Sequence, residues 1–160
     1  MAAYSGPQLK LKDFLPYKLS ILSNRISGAI ANAYQDRFGL TIPEWRVMAI
    51  VADSPGLSAG DVAERSEMDK VAVSRAVARL VESGRLERHL ADDDKRRSEL
   101  SLSDDGNRIY AEVVPIAKAY EAAVLSHLND EERARLDELL DKLDEVEDKV
   151  LRNPPTARAD

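Results

Sequence analysis

The sequence predicts a mainly α fold with one two-stranded β element (α+β), on three observations. Between residues 69 and 82, Val73, Val77 and Leu80 recur at i, i+4 and i+7 and form one apolar stripe, the mark of an amphipathic helix. After the break at Ser83-Gly84 the period falls to two. Leu86, Arg88 and Leu90 then share one face, and Leu100 and Leu102 share one face of a returning segment. Longer apolar series at three- and four-residue spacing flank this centre on both sides, so most of the remaining chain reads as helix.

Taken in order, residues 4–12 have little periodicity and read as an arm. Leu15, Leu19, Leu22, Ile26, Ile30, Ala33 and Tyr34 then mark a long amphipathic helix over 15–38. Pro16 suits its first turn and Gly39 its C-terminal stop. Thr41-Ile42-Pro43-Glu44 reads as a capping box opening a helix through Trp45, Val47, Met48, Ile50 and Val51, which Asp53-Ser54-Pro55-Gly56 ends in a turn. Ser58-Ala59-Gly60-Asp61 is a second capping box, for a short helix to about Ser66 with Val62 and Ala63 inward. Glu67-Met68 makes the turn, and Asp69 or Ser66 caps the helix over 69–82.

The hairpin runs through 85–90 and 98–102, with the charged tip Ala91-Asp92-Asp93-Asp94-Lys95-Arg96-Arg97 between them. Ser103 caps a helix with Ile109, Val113, Ile116, Tyr120, Val124 and Leu128 on its apolar side, and Pro115 inside it is expected to kink or bend it. Asn129-Asp130-Glu131-Glu132 favours a new helix start. Leu136, Leu139, Leu143, Val146 and Val150, spaced three, four, three, four, then form a heptad seam. That seam fits either the chain's own core or a second copy. Helices at both ends carry more apolar surface than a small central domain needs, so an isologous homodimer is expected.

Two short helices joined by a tight turn, followed by a hairpin, form a winged helix-turn-helix, a shape that fits double-stranded DNA. Lys70, Ser74, Arg75 and Arg79 fall off the apolar stripe and face outward. Arg75 and Lys70 are the expected base-edge or near-phosphate contacts, since the planar fork of arginine matches guanine O6 and N7. Ser74 and Arg79 are expected to hold phosphate. Arg96 and Arg97 are expected to reach the minor groove or backbone, with Asp94 orienting Arg96; the other reading of the tip is a solvated turn. The first helix of the motif is expected to meet phosphate through its N-terminal amides. In a dimer, two such helices read a pseudo-palindrome whose half-sites lie roughly 34–36 Å apart.

The chain resembles the multiple antibiotic resistance regulator (MarR) family of winged-helix transcription factors. The resemblance rests on residues 57–63 (LSAGDVA), 69–75 (DKVAVSR) and 80–86 (LVESGRL), and on the wing residues 92–97 (DDDKRR) followed by 100–106 (LSLSDDG). The family often has Asp-x-Arg-Arg at the tip and Leu-Thr-x-x-Gly at the wing's end. Here these stand as Asp94-Lys95-Arg96-Arg97 and Leu102-Ser103-Asp104-Asp105-Gly106, and serine in place of threonine keeps the cap. The resemblance spans residues 13–151 in element order. It implies a DNA-binding region over 41–103, and dimerisation helices over 13–39 and 104–152 that intertwine between subunits. It also implies a repressor released by a small aromatic or phenolic effector, bound near Tyr17, Ser20, Trp45 and Arg46. An aromatic wall with a guanidinium suits a carboxylate. Trp45 equally fits a core position, and Arg46 a structural ion pair.

Composition bounds the alternatives. A chain of 160 residues with 44% hydrophobic and 32% charged residues fits one globular unit. With no cysteine there is no disulfide, thiolate metal site or thiol switch. No apolar run approaches membrane-spanning length, and residues 1–7 lack the features of a secretory signal, so a cytoplasmic protein is expected. The net charge of −6 is concentrated in residues 101–150, with 6 basic and 14 acidic side chains; residues 60–100, with 9 and 10, are close to neutral. His89 and His127 are isolated, no carboxylate pair or spaced ligand cluster stands out, and neither an enzyme nor a cofactor is expected. The remaining rival is a winged-helix protein–protein module that has lost DNA binding. The near-neutral centre favours it, and retention of Lys70, Arg75, Arg96 and Arg97 opposes it.

Overall fold

The computed structural model describes residues 8–90 and 98–152, without the side chains of 147–149, 151 and 152. The chain divides into two compact units, residues 1–120 and 121–160. In the first, a 3-10 turn (Leu11–Asp13) leads into α1 (Leu15–Phe38), α2 (Ile42–Asp53), α3 (Ala59–Ser66) and α4 (Lys70–Glu82). Strands β1 (Leu86–Leu90) and β2 (Ser98–Leu102) follow, and then α5 (Asp104–Leu125), whose last residues belong to the second unit. That unit also holds α6 (Asp130–Arg152).

Among the described residues, five of the six α-helices start on a side-chain cap. Thr41 and Glu44 exchange bonds at the start of α2, amide to carboxylate at 2.8 Å and amide to hydroxyl at 3.4 Å. Ser58 and Asp61 do the same for α3 at 2.8 and 3.2 Å. Asp69 Oδ1 accepts from the amides of Val71 and Ala72, and Ser103 Oγ from the Gly106 amide. Asn129 and Glu132 form a reciprocal pair at 2.9 Å before α6. Each satisfies amides that a helix start leaves open and contributes about 1 kcal/mol. The sharp turn between α3 and α4 is made by Glu67 at φ 51°, a left-handed conformation that costs a side-chain-bearing residue roughly 1–2 kcal/mol.

The core of the first unit forms where these helices converge. α4 contributes Val73, Ala76, Val77 and Leu80; α2 contributes Val47, Met48 and Val51; Leu86, Leu100, Ile109, Val113 and Tyr34 close it. The two strands are antiparallel, with Leu86 opposite Leu102 and Arg88 opposite Leu100. Leu57 adds a third rung: Leu100 donates to its carbonyl at 2.9 Å, while the Gly56 amide donates to Leu100.

Some expectations need correction. Leu90 shares the apolar face of the hairpin but is 66% exposed, because the distal end of the strand runs past the core. Leu128 falls beyond α5, which continues as helix through Pro115 and ends at Leu125. Arg135 pairs with Glu138, three residues on, at 2.6 Å. Leu15, Leu19 and Leu22 continue the α1 stripe yet are exposed, unlike Tyr34 at its far end. The seam residues Leu136, Leu139, Leu143, Val146 and Val150, expected to fit either the chain's own core or a second copy, are exposed in the single chain.

Candidate nucleic-acid interface

The site is built on α4. Its inward positions 73, 76, 77 and 80 are all buried, and its outward positions 70, 71, 74, 75, 78, 79 and 82 are all exposed. This 3.6-residue alternation leaves Lys70, Ser74, Arg75 and Arg79 together on one wetted face. Arg79 lies 3.9 Å from Glu44 Oε1, a carboxylate buried at the start of α2 whose other oxygen holds the Thr41 amide. Thr41, Pro43, Glu44, Ala72, Arg75 and Arg79 line one shallow cleft along this face. The anchored carboxylate therefore biases where the Arg79 guanidinium sits without burying it.

The end of α4 is tied to the wing. The Gly84 amide donates to Val81 and the Arg85 amide to Leu80, with Gly84 at φ 70°, a Schellman closure. Ser103 then spans the base of the hairpin, donating from Oγ to the Gly84 carbonyl at 2.6 Å and from its amide to the Arg85 carbonyl at 3.1 Å. The Arg85 side chain donates to the Phe38 carbonyl at 2.6 Å, joining the end of α1 to the start of β1. On the other hairpin face, His89 Nε2 is 3.0 Å from Ser101 Oγ and 3.4 Å from Glu87 Oε2, so its ring is engaged within the wing. Asp94, Arg96 and Arg97 lie outside the described residues.

The start of α3, expected to meet phosphate, carries its own side-chain cap. The Asp61 carboxylate accepts from both the amide and the hydroxyl of Ser58, and Ser58 Oγ accepts from the Asp61 amide. The Asp61 carboxylate thus lies at the positive end of that helix. Val71, by contrast, was not singled out for the outward face, yet it is 55% exposed there. Its place off the 73/77/80 stripe was the available signal.

The proposed effector residues fall in two places. Trp45 packs between Tyr34 and Tyr110, with ring centroids 5.7 and 5.6 Å away, and so knits α1, α2 and α5 together. Arg46 reaches α1 at Ser27, 3.4 Å from its hydroxyl. Ser20 lies seven residues earlier on that helix, about 10 Å of rise, and Tyr17 further still; both are exposed. Burial pushes the Tyr34 hydroxyl up to about 12 from the ordinary 10, against the opposing charge of Arg46.

The MarR family model matches residues 38–97, from the end of α1 to the wing tip. The transcriptional regulator HosA of Escherichia coli O111:H- is 30% identical over 104 residues, covering 65% of this chain and 77% of that protein. The chain belongs to the MarR family. As a MarR-family transcriptional regulator it also shares its fold with solved structures of that group. A MarR/EmrR family regulator from Acinetobacter sp. ADP1 matches with a TM-score of 0.80 and 26% identity, over 88% of this chain and 99% of that one. FabT of Streptococcus pneumoniae, solved in complex with DNA, shares the fold at a TM-score of 0.68 and 21% identity, over 84% and 95% of the two chains. Among the described residues of this MarR chain, no helix is long and apolar enough to cross a membrane, and no cluster of His, Asp and Glu could hold a metal ion.

Proposed function

We infer that the protein is a dimeric, sequence-specific repressor that places α4 of each subunit in successive major grooves of a pseudo-palindromic operator. The observation that carries this reading is the two-sidedness of α4: its inner side is core, and Lys70, Ser74, Arg75 and Arg79 share the other. Arg75 takes a guanine edge with Lys70 beside it, and Ser74 and Arg79 take phosphate. The wing residues Arg96 and Arg97 reach the minor groove or backbone, with Asp94 orienting Arg96. That FabT was solved with DNA on the same fold is consistent with this docking.

Dimerisation is supported by apolar side chains left uncovered in the single chain: Phe14, Leu15, Leu19 and Leu22 around α1, and Leu136, Leu139, Leu143, Val146 and Val150 on α6. Such stripes cost solubility unless a second copy covers them. Release by a small aromatic acid near Tyr17, Ser20, Trp45 and Arg46 would act by shifting the dimer between two separations of its α4 helices. Arg46, half-buried and reaching Ser27 on α1, offers a guanidinium for the carboxylate, and Trp45, held against Tyr34 and Tyr110, offers an aromatic surface.

The test is selection of a randomised duplex pool by the purified protein, followed by fluorescence anisotropy at two salt concentrations. Enrichment of a palindrome is the expected result. Weak, salt-labile binding without sequence preference would instead favour a protein-binding winged helix.

A further inference from the structure

Val71 is the exception on the outward side of α4. The helix keeps Val73 and Val77 inside, at 1% and 0% exposure, yet Val71 is 55% exposed. A side chain so placed adds nothing to the core, and its β-branch slightly lowers helix propensity. Its position is nevertheless well defined. The Val71 amide donates to Asp69 Oδ1 at 2.9 Å, which fixes the backbone, and a β-branched side chain in a helix holds essentially one rotamer. Ser74 and Arg75 stand three and four residues on, so both adjoin it on the surface. A rigid pair of methyl groups therefore projects from the first turn of the helix, beside a hydroxyl and a guanidinium.

The N-terminal residues of a recognition helix are those that approach base edges. Among the groups displayed in the major groove, one is apolar, the C5-methyl of thymine. We propose that Val71 reads a thymine methyl group in each half-site, a specificity contact that rests on the DNA-binding reading above. Because the side chain is wet in the free protein and loses water only on docking, its contribution falls on binding and not on folding. Arg75, one turn further along the same face, reaches a base within one or two steps of that thymine. The same contact would accept 5-methylcytosine and discriminate against unmethylated cytosine at that position.

The test uses the full chain and the operator it selects. Each thymine of one half-site is replaced in turn by deoxyuridine, which removes the C5-methyl and leaves base pairing intact. Wild-type protein is expected to lose about fourfold in affinity at one thymine, the size of one buried methyl group. Val71→Ala is expected to bind the unmodified operator less well and to be indifferent to that one replacement, while Val71→Ile keeps the sensitivity. An unchanged melting temperature for Val71→Ala shows that folding is not the cause. If a palindrome is selected but no thymine is methyl-sensitive, or Val71→Ala retains the wild-type pattern, the Val71 contact is overturned and the DNA-binding reading stands. If no sequence is selected at all, both fall together.

Discussion

Gly106 packs so closely on Arg85 that a Cβ at position 106 would overlap the Arg85 carbonyl oxygen. That carbonyl already accepts the Ser103 amide, so it is held in place and cannot simply move aside. The first turn of α5 thus seats directly on the base of the wing, and the glycine is needed for close approach rather than for an unusual backbone angle.

Gly106→Ala should therefore destabilise the fold by roughly 1–3 kcal/mol, the ordinary cost of overpacking a buried site. Urea unfolding of the variant, with an unchanged m-value, would check this. A midpoint equal to that of the wild type would mean that α5 can shift without cost.

Arg75→Ala should weaken operator binding by about 1–3 kcal/mol and relax preference at one base pair of each half-site. Binding curves against single-base operator variants separate this from a phosphate contact. An equal loss on every duplex would remove Arg75 from the base-reading set.

Leu143 is 46% exposed on the α6 seam. A charge there is tolerated by an isolated helix and not by a dry interface between copies, so Leu143→Glu should sediment as a monomer with its helical circular dichroism retained. A dimer that survives the change would move the interface elsewhere.

Tyr34 sets an alkaline limit. Its folded pKa of about 12 lies above the ordinary value near 10, so the folded chain holds this proton more tightly than the unfolded chain. The stabilisation is complete below pH 10 and is lost as pH rises towards 12. Tyr34→Phe should flatten the fall in stability across that window, measured by chemical denaturation at several pH values; an identical fall in both proteins would assign the alkaline loss to other groups.

What could be read from sequence was local. The pairs Thr41/Glu44 and Ser58/Asp61 and the Asp69 cap depend on bonds within three residues, and the stripe on α4 depends on helix geometry alone. The change of period at Gly84 located the hairpin for the same reason. The Leu57 rung, the approach of Arg79 to Glu44 and the reach of Arg46 to Ser27 depend on how elements cross, which periodicity does not encode. An apolar residue beside a stripe, as Val71 is, fits the edge of the core or the open surface equally in the sequence, and only its exposure separates the two.

Trp45 is the single indole of the chain, and it sits between two tyrosines contributed by different helices. At centroid separations of 5.7 and 5.6 Å, light absorbed by either phenol is passed to the indole, which emits for all three. The colour and intensity of that emission report on one spot, the meeting of α1, α2 and α5. The protein thus carries its own optical gauge of the joint between its long N-terminal helix and its wing-bearing region, readable without a label.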